Sequence, residues 1–328
     1  MGKSCKQTCG EEKAASCGSE QKSTCGSANA AIAQQDIAIT RSLGKIKNKI
    51  LVMSGKGGVG KSTVAVNLAL GLANHGYRVG LMDVDLHGPD ICRMLNLTDS
   101  LQAPANKGDL VPTLKYNDNL KVVSLEYMMK DRDEAIIWRG PLKIQAIRQF
   151  VADMDWGELD YLVIDAPPGT GDEPLSVAQT IKDVQALVVT TPQAIALADV
   201  RKSINFCKTV NIPILGVVEN MSGYICPHCE EKVDIFSSGG GEQVARDFDL
   251  AFLGRVPMDP RVVVAGDTGK PYLSSGVDTP ATKAFGTVVE AVIKRLPPAA
   301  QPSLKTITPL GAACGCGPQG CDPNKCTC

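Results

Sequence analysis

Residues 50–63 read Ile50-Leu-Val-Met-Ser-Gly-Lys-Gly-Gly-Val-Gly-Lys-Ser-Thr63. An apolar run ends in a glycine-rich turn, and the residues after Lys61 take up a helical pattern. The turn satisfies G-x-x-x-x-G-K-S, and its place between a strand and a helix is the context that confirms a phosphate-binding P-loop. Gly55, Gly57, Gly58 and Gly60 let the backbone wrap, so that successive N–H groups from Lys56 through Val59 to Thr63 turn inward on phosphate oxygens. The following helix adds its positive end. Lys61 is expected to reach the outer phosphates and the Ser62 hydroxyl to bind Mg2+.

The rest of the chain repeats this strand–helix rhythm. Candidate strands are 79–83 (VGLMD), 121–125, 161–165 (YLVID), 186–190 (ALVVT), 214–218 and 251–256, with helices over 61–75, 142–153, 198–210 and 280–295. Most strands are apolar throughout rather than alternating, as parallel strands covered on both faces must be. The expected fold is α/β, a doubly wound, mainly parallel sheet in a single domain at 45–298. Ligands of such sheets bind beyond the C-terminal strand ends. Residues 1–44 and 299–328 are rich in Gly, Ser and Lys or Pro without periodic apolar residues, and read as flexible tails.

Composition narrows the function. A net charge of −1 over 328 residues gives no electrostatic case for nucleic acid. No apolar run approaches the roughly 18 residues that cross a bilayer, and the N-terminus lacks the apolar stretch of a secretory signal. A cytoplasmic location follows, without membrane or nucleic-acid partners. There, thirteen cysteines point to metal or redox chemistry rather than to structural disulfides. Nine of them fall in the tails: Cys5, Cys9, Cys17, Cys25, Cys314, Cys316, Cys321, Cys326 and Cys328. Cys92 and Cys207 read as small buried residues.

Carboxylates sit where the strands end. Asp83 and Asp85 follow the second strand and Asp165 ends YLVID, all positions from which a carboxylate can hold Mg2+ or orient an attacking water. For Asp83 a turn-capping role fits equally well. Asn220 follows ILGVVE as a loop residue, a turn former or a ligand contact. Cys226-Pro-His-Cys229 has no second pair within zinc-knuckle spacing. Two thiolates make half a metal site or one dithiol, and the flanking sequence lacks the helix that activates a disulfide-exchange cysteine. Two copies of the pair meeting at a two-fold axis supply the four thiolates of a [4Fe–4S] cluster.

GKGGVGKST, DVDLHGPD, IIWRGP (136–141), DAPPGTGDEP and M-x-x-Y-x-C-P-x-C together resemble the Mrp/Nbp-type iron–sulfur cluster carrier ATPases. These are deviant Walker A P-loop NTPases, related to the nitrogenase iron protein and the division-site ATPases. The resemblance spans roughly 45–298. It implies a homodimer that binds and slowly hydrolyses ATP with Mg2+, holds a [4Fe–4S] cluster on Cys226 and Cys229, and transfers it to apo-proteins. It also implies that Lys56 reaches the partner's nucleotide, that Asp85 activates water in switch I, and that Asp165 acts on Mg2+. Residues 167–171 become switch II, Asn220 contacts adenine, and the stretch at Pro257 packs beside the base. The N-terminal cysteines lack the C-x-x-C of cytosolic relatives, so that site is not carried over. A partitioning or positioning ATPase is the rival reading. It calls for a basic DNA face or an amphipathic tail, and CGCGPQGCDPNKCTC (314–328) offers neither. A nitrogenase-like reductase calls for single, widely spaced cluster cysteines.

Overall fold

A computed structural model describes residues 32–85, 88–98, 109–124, 126, 140–226, 228–229, 231–274 and 278–298. The tail cysteines, His87 of switch I and 136–139 of IIWRGP lie outside the described residues.

The chain opens with helix α1 over 32–43. Strand β1 (Ile46–Ser54) leads into helix α2 (Lys61–Asn74) and β2 (Val79–Asp83). Helix α3 (Ile91–Met94), β3 (Val111–Pro112), β4 (Leu114–Asn117) and β5 (Leu120–Ser124) precede α4 (Gly140–Ala152). Then come β6 (Met154–Asp155), β7 (Leu159–Asp165), α5 (Asp172–Thr180), β8 (Val184–Thr190), α6 (Ala194–Thr209) and β9 (Ile214–Glu219). Two-residue strands β10 (Tyr224–Ile225) and β11 (Lys232–Val233) form a hairpin, and the chain closes with α7 (Gly240–Asp247), β12 (Phe252–Arg255), α8 (Pro260–Asp267) and α9 (Pro280–Arg295).

Among the described residues, eight strands make one sheet in the order β12-β9-β8-β1-β7-β2-β5-β4. All its pairings are parallel except β4 with β5. β1 lies between β7 and β8, and the chain leaves it in one direction through α2 to β2 and later returns to its other side. The P-loop therefore starts at the switch point of a doubly wound sheet, where the strand ends open a crevice.

The apolar strands predict burial on both faces, and both are buried. One face packs Ile50, Val52, Leu81, Val163 and Leu187 under α2 and α9. The other packs Leu51, Met53, Met82, Ile164 and Val188 under α1, α4, α5 and α6. α2 is apolar nearly all round because it lies between sheet and α9. Leu68, Leu70 and Leu72 are each essentially inaccessible, and each contributes roughly 1.5–3 kcal/mol. α2 is thus held rigidly, and with it the loop at its N-terminus.

One expectation needs revision. The end of the stretch read as a tail to residue 44 is ordered structure: α1 buries Ile39 and Leu43, one helical turn apart, in the core. Arg148 of α4 fixes it further, with Nε donating to Gln35 Oε1 at 2.9 Å and Nη2 to Asp36 Oδ1 at 2.5 Å. Among the described residues no helix is long and apolar enough to cross a membrane.

Candidate functional site

The P-loop is shaped by close approach on its inner side. A side chain at Gly55 would put a Cβ 2.4 Å from the Asp199 carbonyl carbon of α6, so only glycine lets the loop leave β1 there. Gly60 has φ +79°, a left-handed conformation that side chains rarely adopt. A Cβ at Gly60 would also lie 2.2 Å from Asn220 Nδ2. That amide donates to the Val59 carbonyl at 2.9 Å, and Ser54 Oγ donates to the Lys56 carbonyl at 2.9 Å. On the outer side a Cβ at Gly57 or Gly58 meets no atom of the described residues within 4 Å. The cradle is pinned from behind and open in front.

Behind the loop lies a row of buried acids. β2 and β7 pair in register so that Asp83 stands beside Asp165. Lys61 Nζ donates to Asp165 Oδ1 at 2.7 Å and sits 3.4 Å from Asp85 Oδ2. Burial alone would lower the Lys61 pKa, but Asp165, Asp85 and Asp83 outweigh it and hold the ammonium above its ordinary value. Burial pushes the Asp165 carboxyl up, against the pull of Lys61 and of a hydrogen bond from Ser62. Burial and the charge of Asp165 raise Asp83 well above the carboxylate range. Asp83 accepts from Ser124 Oγ and from the Asp85 amide, each at 3.1 Å. Lys61, Ser62, Asp85 and Asp165 therefore form one cluster at the strand ends.

The 167–171 loop is anchored to the same place, since the Gly169 amide donates to the Ser54 carbonyl at 2.9 Å. At Gly169 and Gly171 a Cβ would meet nothing within 4 Å. α5 then starts, with Glu173 ion-paired to Lys143 of α4. Lys56 is half-buried, and among the described residues its ammonium has no ion pair. Thr63 is half-buried and its carbonyl accepts from Asn67 Nδ2 at 2.8 Å.

Cys226 and Cys229 lie apart from the acid cluster, on the β10–β11 hairpin. Its root turns through Met221 at φ +54° and Gly223 at φ +74°. β10 is held on its other side by a bridge from Tyr224 to Met258, and the Met258 amide donates to the Gly223 carbonyl at 2.8 Å. The Cys226 amide donates to the Glu231 carbonyl at 3.0 Å, closing the knuckle. Cys226 is half-buried, and Cys229 and His228 are exposed. The backbone amides of Cys229 and His228 and the Cys229 thiol hold the Cys226 thiol below its ordinary pKa. A thiolate is the form that ligates metal. Among the described residues no three His, Cys, Asp or Glu side chains gather into a metal site, so the hairpin presents a pair of thiols rather than a full ligand set. A cavity of about 220 Å³ opens between the hairpin and the start of α8, lined by Tyr224, Ile225, Pro257, Met258, Asp259 and Arg261.

Sequence reasoning missed Ser124, which holds Asp83, and Glu219, which is fully buried at the end of β9. Glu219 Oε1 accepts from Ser222 Oγ at 2.5 Å and from the Gly239 amide at 2.9 Å, and Oε2 accepts from the Gly241 amide. The signal was present: a carboxylate closing the apolar run ILGVVE needs a strong partner.

The chain is 46% identical over 266 residues to the "Iron-sulfur cluster carrier protein" of Methanocaldococcus jannaschii, covering 81% of this chain and 90% of that protein. It is 50% identical over 242 residues to the "Cytosolic Fe-S cluster assembly factor CFD1" of Chaetomium globosum, covering 70% and 80%. Among solved structures, an ADP-bound nucleotide-binding protein from Archaeoglobus fulgidus superposes with a TM-score of 0.65 at 34% identity, covering 76% of this chain and 96% of that one. The cell-division ATPase MinD of Pyrococcus furiosus, at 23% identity and a TM-score of 0.56, covers 76% and 99% and shares the fold. The family model described as ParA, "NUBPL iron-transfer P-loop NTPase", matches residues 45–293. With its P-loop at the switch point and its cysteine pair beyond β9, the chain belongs to the NUBPL-type iron-transfer P-loop NTPases.

Proposed function

We propose that this chain is an ATP-hydrolysing carrier that holds a [4Fe–4S] cluster as cargo between two copies of itself and hands it to apo-proteins. The observation that carries the reading is the count at the hairpin. One chain presents two thiols, one half-buried and one exposed, and a four-thiolate cluster takes two such pairs. Two-fold symmetry supplies them from one surface patch.

The nucleotide end fits ATP. Its cradle has open space at Gly57 and Gly58, and the protonated Lys61 is fixed beside it by Asp165 and Asp85. Ser62 and Asp165, both within reach of Lys61 Nζ, are the residues to hold Mg2+, which neutralises charge on the phosphates. Asp85 is placed to orient the attacking water. Lys56, without an ion pair among the described residues, is the lysine to serve the partner's nucleotide, as an arginine finger does. Asn220 and Pro257 border the space for adenine. Hydrolysis is slow and reports the state of the dimer to the hairpin. The relatives whose names place them in the cytosol support a cytoplasmic site of action.

The test is iron and acid-labile sulfide per dimer after anaerobic reconstitution, in the parent and in a Cys226→Ala/Cys229→Ala variant. The carrier reading expects a cluster in the parent that the variant largely loses. A variant that keeps all its iron moves the site to the tails. A parent that binds none leaves an ATPase without cargo, as a positioning ATPase would be.

A further inference from the structure

The two ends of the site meet at one short stretch, Glu219-Asn-Met-Ser222. Asn220 faces the nucleotide loop: its amide nitrogen donates to the Val59 carbonyl, and its backbone N–H donates to the Thr190 carbonyl at 2.8 Å. Ser222 faces the hairpin: its backbone N–H donates to the Val256 carbonyl at 2.9 Å, and Gly223 follows as the pivot into β10. Between them Met221 is held at φ +54°, a conformation that costs a non-glycine residue roughly 1–3 kcal/mol and persists only where its surroundings enforce it.

Glu219 is what enforces it. Its carboxylate accepts Ser222 Oγ at 2.5 Å across the Met221 turn. On its other side it takes amides at the start of α7, that of the N-cap Gly239 at 2.9 Å and that of Gly241 in the first turn. A helix N-terminus is the natural partner for a carboxylate, and Arg255 Nε adds positive charge 3.6 Å away. α7 therefore fixes the carboxylate, the carboxylate fixes the turn, and the turn sets Asn220 on the P-loop and β10 under Cys226.

We propose that Glu219 is a positioning residue that couples the nucleotide loop to the cysteine hairpin, acting through Ser222. It touches neither nucleotide nor cargo. A shift of the P-loop passes through Asn220 into a turn that cannot flex while Ser222 is held, so it moves the hairpin rather than being absorbed at Met221. With the hydroxyl gone, the same shift is taken up locally and the cysteines no longer sense it.

This inference rests on the reading of Cys226 and Cys229 as the working cysteines, but its test needs no iron. The full-length apo-protein is treated with iodoacetamide with and without MgATP, and alkylation of Cys226 and Cys229 is followed by mass spectrometry. Nucleotide affinity is measured in parallel. In the parent MgATP changes the Cys226 rate by about fivefold or more, the usual range for coupled sites. In Ser222→Ala the response falls to about twofold or less, within the effect of changes along a coupling network, while nucleotide affinity is retained. Glu219→Gln behaves likewise, because its amide NH2 must face a donor N–H at Gly239 or Gly241. Glu242→Gln, which alters the exposed pairs with Arg255 and Arg246 but no contact of Ser222, keeps the parent's response.

A parent rate indifferent to MgATP overturns the proposal, as does a Ser222→Ala protein with the full response. Loss of response in step with loss of nucleotide binding also overturns it, by assigning Glu219 to the fold of the loop alone. Should Glu219→Gln not fold, Ser222→Ala decides. A parent that fails to bind iron sinks the carrier reading and leaves this response to stand or fall separately.

Discussion

The P-loop and the cysteine hairpin both lie beyond strand ends of one sheet, yet they are finished to different degrees. At the P-loop, Lys61 meets Asp165 and Asp85 within its own chain, and α2 is locked between sheet and α9. At the hairpin, two strands of two residues flank one half-buried and one exposed thiol, held at the root, by the contact with Met258 and by the Cys226 amide on the Glu231 carbonyl. Burial makes the first end self-sufficient. The second end presents half of a four-thiolate site; in the function proposed above, a second copy completes it and its exposure lets cargo enter and leave.

The largest effect should come from breaking the self-sufficient end. Lys61→Met removes the cation from among buried carboxylates, and we expect ATP hydrolysis to drop by about 100-fold or more. Unfolding free energy should fall by about 3 kcal/mol, because a buried charge loses its partner. Phosphate release and denaturant unfolding measure the two, and an unaltered stability would mean that the acid row does not depend on Lys61. The hairpin should answer in the opposite sense. Cys226→Ala/Cys229→Ala should cut hairpin-bound iron by more than the roughly tenfold typical of outer-shell changes, yet move stability by less than about 1 kcal/mol. A large stability loss there would blur the contrast between the ends.

Gly60→Ala probes the joint between them. Its left-handed φ and the nearby Asn220 amide should together cost about 2 kcal/mol, with weaker nucleotide binding by titration. Unchanged affinity would show that the Asn220 clamp is not needed for the cradle. The smallest effect lies at the far end of the sheet. Burial would raise the Asp160 pKa, but Lys47 at 2.8 Å and the Arg78 amide and guanidinium hold it below the carboxylate range. A depressed carboxyl stabilises the fold above its unfolded pKa and loses that contribution as pH falls through the folded value. Asp160→Asn should therefore cost about 1 kcal/mol near neutral pH. The gap to the parent should close as the solution is acidified past the usual carboxylate range. A gap independent of pH would point to geometry rather than charge.

What could be read from the sequence follows how local each determinant is. The P-loop is contiguous, and strand, glycines, Lys61 and Ser62 were all legible. So were β2 and α9, whose apolar periodicity needs no distant partner. β1 was read only from residue 50, because Lys47 and Lys49 look polar. In the fold Lys47 pairs with Asp160, and Lys49 is buried at the strand's start with its pKa lowered by desolvation. α1 was missed since Ile39 and Leu43 are its only buried apolar residues among those described, with Ala38 packing beside them, too sparse to stand out in a polar stretch. Glu219 was missed because two of its three hydrogen-bond partners are backbone amides about twenty residues on, invisible to any motif of side chains, and the third is a lone serine.

The edges of the main sheet carry one more consequence. β4 is four residues long and antiparallel, presents Lys115, and slips register before Asn117. β12, also four residues, slips between Phe252 and Gly254, and α9 packs across it. Short, bulged, charged or covered borders deny a second chain the row of free amides and carbonyls it needs to add a strand. Two copies of this protein are thereby steered away from edge-to-edge sheet growth, which leads to aggregates.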